Sequence, residues 1–198
     1  MVTGTERHIL IVCHGNLCRS PMAEVLLQAQ LPANEWRVSS SGTHAIGDDP
    51  PAPEAQRVVA EMVGLDISSL RSTPVTVEDL RRSDHILTMS RLQAAEVVAL
   101  APEVAERTRL LGGFAPAAEE TELAADPRAG NAHAEEIGDP LGGEPETYRQ
   151  CCDRLLRATG AVARWLSRGA EEEAAPPAAR SWLQQKGDAP LVVIRYRP

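Results

Sequence analysis

The stretch HILIVCHGNLCRSP, residues 8–21, changes character twice. His8 to Cys13 is a short apolar run rich in Ile and Val, which reads as a buried strand. The run stops at His14, and His14 to Arg19 is a loop. Ser20-Pro21 then predicts the opening of a helix over Met22 to Gln30. Ser is a favoured N-cap, and Pro suits a first helical turn because its missing N–H has no partner there. Strand, tight loop and helix in that order make a phosphate cradle. Loop N–H groups converge on one spot, and the positive end of the helix faces it. Gly15 and Asn16 are the loop residues best able to take the positive φ that such a curl requires.

Working outward, Trp36 to Ser41 reads as a second strand ended by Gly42, and Pro53 to Val63 as a helix closed by Gly64. Glu78 to Arg81 is a short helix after Thr76. His85 to Met89 is a third strand, Ser90 caps a helix over Arg91 to Leu100, and Thr108 to Leu111 is a fourth strand. Glu146 to Ser167 carries a long helical pattern with Tyr148, Leu155, Leu156, Val162, Trp165 and Leu166 on its apolar side. Strands alternating with helices imply parallel strands joined by right-handed crossovers. The expected fold is a small doubly wound α/β sheet of about four strands with helices on both faces, plus a C-terminal extension. Residues 7–168 would form the domain, and 169–198 a linker and tail. Ala115 to Gly138 reads as a long acidic loop, Gly169 to Ala179 as a linker, and Leu191 to Tyr196 as an added edge strand or a disordered end.

The chain has 198 residues, 43% hydrophobic and only 3% aromatic, so the core must rest on aliphatic side chains. A net charge of −8 argues against nucleic acid as a partner. No apolar segment approaches the roughly 18 residues a bilayer span needs, so no membrane role is expected. Met1 to Arg7 is polar and lacks the apolar core of a signal peptide, which predicts a cytoplasmic protein. The cysteines fall as Cys13/Cys18 and Cys151/Cys152, without metal-ligand spacing. No metal and no cofactor are expected.

A cysteine, five residues and an arginine form a weak motif alone. Its setting between a strand and a Ser-Pro helix start gives it chemical content. Arg19 offers a planar fork that can hold two phosphate oxygens. Cys13 lies under the loop N–H groups, which favour its thiolate, and the Ser20 hydroxyl can donate to that sulfur. Loop residues His14, Gly15, Asn16, Leu17, Cys18 and Ser20 are the candidate substrate-binding set, with His14 at the pocket mouth. Cys18 lies five residues from Cys13; peroxide is expected to join the two in a reversible disulfide, unless Cys18 simply packs against the loop.

This loop resembles the signature of the low-molecular-weight protein-tyrosine phosphatases. The likeness runs from about residue 7 to 168 and includes Ser40-Ser41-Gly42-Thr43, Ile86-Leu87-Thr88-Met89 and an Asp-Pro before the last helix. The resemblance implies hydrolysis of a phosphate monoester through a phosphocysteine on Cys13, with Arg19 holding the phosphate. An Asp in an Asp-Pro loop would be the general acid. The sequence has Asp49-Pro50, Asp126-Pro127 and Asp139-Pro140, and the family pattern favours Asp139, which precedes the helix of Glu146 and Tyr148. The implied substrate is a phosphotyrosine protein, with phosphoarginine or a small phosphate monoester as alternatives. An arsenate reductase of the same fold and a non-catalytic phosphate-binding protein are the rival readings. The reductase reading needs relay cysteines that residues 66–100 lack. Three positions depart from the pattern. Leu141-Gly142-Gly143 and His44-Ala45-Ile46 stand where the family has aromatics, so a phosphotyrosine ring would find a poor wall. Leu70 stands where a buttressing His is usual, leaving Asn16 and Ser40 to hold the loop.

Overall fold

The computed structural model of the protein describes residues 6–115 and 136–168. Four parallel strands form one sheet in the order β2-β1-β3-β4. They are β1 (Arg7–Cys13), β2 (Trp36–Gly42), β3 (His85–Thr88) and β4 (Thr108–Leu110). The helices are α1 (Arg19–Gln28), α2 (Pro53–Val63), α3 (Val77–Arg82), α4 (Arg91–Leu100) and α5 (Pro145–Ser167).

The strand β1 is buried on both faces because it is central. Ile9 and Ile11 join Trp36, Val38 and Leu87 under α1, α2 and α5. Leu10 and Val12 join Ile86 under Leu80 of α3, Val97 of α4 and Ala101 just after it. Each such side chain, fully withdrawn from water, contributes about 1.5–3 kcal/mol of transfer free energy. The helix α5 packs through Tyr148, Cys151, Cys152, Leu155, Ala158, Val162, Trp165 and Leu166, a stripe at helical spacing. The doubly wound sheet read from the alternation of elements is thus present. No helix among the described residues is long and apolar enough to cross a membrane.

Several boundaries move. The helix α1 begins at Arg19, three residues before the expected start, with Cys18 as its cap and no side-chain cap bond. Its first helical bond runs from the Met22 N–H to the Cys18 carbonyl at 3.2 Å, so Pro21 costs the helix nothing. Ser20 is inside the helix rather than capping it, which leaves its hydroxyl free for other use. Two 3₁₀ turns, Pro102–Arg107 and Leu111–Phe114, flank β4 and shorten it by one residue from the expected strand. Three to six residues carry too little periodicity to announce a 3₁₀ turn. The expected tail strand and most of the acidic loop lie outside the described residues.

The chain passes from β1 to β2 on one side, then crosses to β3 on the other. The crevice outside the carboxyl ends of β1 and β3 is the switch point where ligands of open α/β sheets bind. Residues 14–18 lie there.

Candidate active site

Cys13 ends β1 and is 2% exposed. Its Sγ accepts the Asn16 backbone N–H at 3.2 Å and lies 2.9 Å from the Ser20 Oγ. The loop curls back on the sulfur because Asn16 takes a φ of 56°. Gly15 is not among the positive-φ residues, so the curl expected of both residues falls on Asn16 alone. Asn tolerates this conformation better than most residues, and here its buried side chain compensates further. Asn16 Nδ2 donates to Ser20 Oγ at 2.9 Å and to Ser40 Oγ at 2.8 Å, while Oδ1 accepts the Thr73 N–H at 2.8 Å. Ser20 Oγ accepts from Asn16, and its own hydrogen has the Cys13 Sγ at 2.9 Å and the Ser41 carbonyl at 3.5 Å within reach. Glu24 of α1 extends the network by taking a hydrogen bond from Ser40; burial pushes its carboxyl up from the ordinary value.

This network ties the loop to β2 and to Thr73 where a buttressing His was expected. Leu70 packs against the core instead, and Thr73 closes the loop from the same side. Gly42 makes the close approach possible. A Cβ there would lie 2.6 Å from the His14 carbonyl oxygen and 2.9 Å from the Asn16 nitrogen. The end of β2 runs beneath the loop, with the Thr43 N–H donating to the Cys13 carbonyl at 3.0 Å and the His44 N–H to the His14 carbonyl at 2.9 Å.

Arg19 opens α1 and is 5% exposed. Its Nη1 donates to the Ile137 carbonyl at 3.2 Å, and its Nη2 pairs with the Asp139 carboxylate. Among the described residues the buried Nε finds no hydrogen-bond partner, so a donor is left over on the edge of the fork. Asp139 is thus brought to Arg19 across 120 residues of sequence. Asp49 is engaged elsewhere: its N–H bonds the Ser72 Oγ and its carbonyl accepts the Ser72 N–H. Asp126 lies outside the described residues.

The remaining loop residues divide by exposure. Leu17 is partly buried, and its carbonyl accepts the Ala52 N–H at 2.8 Å. Cys18 is buried with its Sγ 3.8 Å from the Tyr148 Oη of α5. Burial pushes the Cys18 thiol up to about 11, and burial likewise raises the Tyr148 hydroxyl to about 12. All four cysteines are free. His14 is exposed and stacks on His44, with ring centroids 4.4 Å apart and planes at 25°. The His44 Nδ1 lies 3.0 Å from Thr43 Oγ1 and 3.8 Å from Glu96 Oε1. A flat π-face therefore stands beside the loop where the expected aromatics are absent. Thr73, Ile137, Glu96 and the His44 pairing were missed from sequence; each acts through the fold or a backbone carbonyl, and none belongs to a local motif. Among the described residues, no group of three His, Cys, Asp or Glu converges as a metal site.

This geometry offers a polarised sulfur, a buried guanidinium and a carboxylate in one crevice. Comparison with known proteins agrees. The family model for low molecular weight phosphotyrosine protein phosphatase matches residues 8–172. The low molecular weight protein-tyrosine-phosphatase Etp of Escherichia coli K12 is 32% identical over 160 residues, spanning 81% of this chain and 95% of Etp. Among solved structures, the YwlE arginine phosphatase from Geobacillus stearothermophilus matches with a TM-score of 0.68 at 30% identity, covering 84% of this chain and 97% of YwlE. The tyrosine phosphatase Wzb from Escherichia coli K30, in complex with sulphate, matches at 0.66 and 30% identity, covering 82% and 99%. The chain belongs to the low molecular weight phosphotyrosine protein phosphatase family.

Proposed function

We propose that this chain is a cytoplasmic protein-tyrosine phosphatase that works through a phosphocysteine, with Cys13 as nucleophile, Arg19 as phosphate clamp and Asp139 as general acid. The observation that carries the reading is the convergence of Cys13, Ser20, Arg19 and Asp139 on one loop. Cys13 Sγ attacks phosphorus in line while Asp139, having taken a proton from solvent on leaving Arg19, gives it to the leaving oxygen. The phosphate oxygens take up the spare Arg19 Nε–H and the loop amides. As phosphate engages the fork, Asp139 exchanges its contact with Arg19 for the leaving group. Water then attacks the phosphocysteine with Asp139 as base, and the Ser20 hydroxyl steadies the departing thiolate. Charge on the phosphoryl group is met by the guanidinium and the N–H dipoles. His14, Gly15, Asn16, Leu17 and Cys18 shape the cradle around it.

The stacked imidazoles of His14 and His44 favour an aryl phosphate, since a phenyl ring can pack on their face. Phosphotyrosine is therefore preferred over phosphoarginine or a small alkyl phosphate. The test is hydrolysis of p-nitrophenyl phosphate across about pH 4 to 9, followed by phosphotyrosine and phosphoarginine peptides. Wild type should turn over, and Cys13→Ser should be inert. Asp139→Asn should be slowed at least about tenfold, a loss of about 1.4 kcal/mol of transition-state stabilisation. An inert wild type that still binds vanadate would replace this reading with a non-catalytic one.

A further inference from the structure

The phosphate loop is bordered by two lips of unlike sequence and like chemistry. The first is the β2–α2 connection. It is tied to the phosphate loop at both ends, by the His44 N–H on the His14 carbonyl at 2.9 Å and the Ala52 N–H on the Leu17 carbonyl at 2.8 Å. Between those ties Ile46 is 93% exposed, and Asp48 and Asp49 are exposed beside it. The second lip follows Asp139. The Leu141 N–H donates to Asp139 Oδ1 at 3.2 Å, and Asp139 in turn meets Arg19. Leu141 is 58% exposed, and Glu144 and Glu146 are exposed where the chain enters α5. Each lip thus presents one bare aliphatic side chain and two carboxylates. Neither residues 44–52 nor residues 139–147 contain a Lys or Arg.

Single exposed hydrophobics are ordinary on a protein surface. What distinguishes Ile46 and Leu141 is that each sits on a segment anchored to the catalytic loop. We propose that the two lips dock the polypeptide around the phosphotyrosine, and that they select segments with an aliphatic residue beside it and Lys or Arg further out. The proposal rests on the protein-tyrosine phosphatase reading above. Four carboxylates on two segments that carry no Lys or Arg of their own favour basic over acidic flanks, and the net charge of −8 acts in the same direction at longer range. The aliphatic pair supplies contact area that a neighbouring Leu or Ile can bury. The phosphate itself is shielded from the lips because Arg19 and the loop amides hold it. Selection against acidic neighbours therefore coexists with binding of a dianion.

The experiment measures phosphate release by the full chain from three short phosphotyrosine peptides: Leu and Arg flanks, Leu and Glu flanks, and Ala and Arg flanks. At about 0.05 M salt, kcat/KM for the Leu/Arg peptide should exceed that for the Leu/Glu peptide at least about tenfold, and the gap should narrow at about 0.5 M as screening shortens. Asp48→Asn, Asp49→Asn, Glu144→Gln and Glu146→Gln together should bring that ratio close to one. Ile46→Ala with Leu141→Ala should instead remove the advantage of the Leu/Arg over the Ala/Arg peptide. Equal turnover of basic and acidic peptides by an active enzyme overturns the docking surface alone. If no peptide is hydrolysed although p-nitrophenyl phosphate is, the phosphotyrosine reading has failed and the docking surface falls with it.

Discussion

Four cysteines share one protein, and their surroundings divide them sharply. Cys13 receives an amide N–H and faces a serine hydroxyl, two donors that suit a negative sulfur. Cys18 has only a more distant hydroxyl, that of Tyr148 at 3.8 Å, and Cys151 faces a carbonyl, an acceptor that does not suit a thiolate. Burial lifts the thiols of Cys18, Cys151 and Cys152 to about 11, about 12 and about 11, because a thiolate there would lose its hydration without replacement. Near pH 7 a thiol at about 11 is ionised in only about one molecule in ten thousand, and alkylation follows the thiolate. Limiting iodoacetamide at about pH 7 should therefore label Cys13 first, and inorganic phosphate should slow that labelling by covering the loop. Peptide mapping reads the result; earlier labelling of Cys18 or Cys151 would refute the division. The same difference counts against a relay of thiols through α5. Cys151 is turned to the Gly138 carbonyl, 3.9 Å away, and acts as a packing residue beside the Asp139 segment.

At the scale of elements, the bases of three strands and the end of α5 meet in an aromatic cluster remote from the chemistry. His85 of β3 lies between Trp36 of β2, at 5.7 Å, and Trp165 of α5, at 5.1 Å, with Phe114 against Trp165. The Arg7 guanidinium lies 3.8 Å from the Trp36 ring centroid. His85 Nδ1 is buried without a hydrogen-bond partner among the described residues. Burial first, then the charges of Arg109 and Arg7, hold His85 down at about 4, while Asp84 opposes them. In the unfolded chain the imidazole titrates near 6.5, so between about pH 6.5 and 4 the unfolded state binds the extra proton. Stability from this residue is complete above about pH 6.5 and is lost as pH falls toward 4, a change on the order of 2–3 kcal/mol. Urea midpoints of wild type and His85→Gln at about pH 7 and pH 4.5 isolate it. The variant should lose less stability on acidification, and parallel losses would contradict the assignment. Three scattered aromatics and a histidine gave no hint of this cluster in sequence, since their neighbourhood exists only after the strands pair.

For the whole molecule, what was legible followed the range of the interactions. The loop after β1 was readable because strand, curl and helix start are neighbours in sequence, and each residue type answers a local need. The helices α2 and α4 were readable to the residue because Gly64 and Ser90 mark their ends. The sheet order was not readable in detail: alternation implies parallel strands, but β1 becomes central only because the chain crosses over it to reach β3. Asp139 could be ranked above Asp49 and Asp126 only by family likeness; its contact with Arg19 is a property of the fold. The same reasoning bears on the expected boundary after residue 168. The matched portion of this chain, 84% of its length, corresponds to 97% of YwlE, so a unit of that extent folds by itself in a relative. The described core is also closed within residues 9–166, from Ile9 at one end to Leu166 at the other. A chain ending after residue 172, where the family match ends, should therefore melt within a few degrees of the full protein and keep its turnover of p-nitrophenyl phosphate within about twofold, since few-degree shifts correspond to about 1 kcal/mol in a domain of this size. Calorimetry and the same colour assay decide it. Loss of more than about tenfold in kcat, equivalent to about 1.4 kcal/mol, would make residues 173–198 part of the catalytic unit rather than an appendage to it.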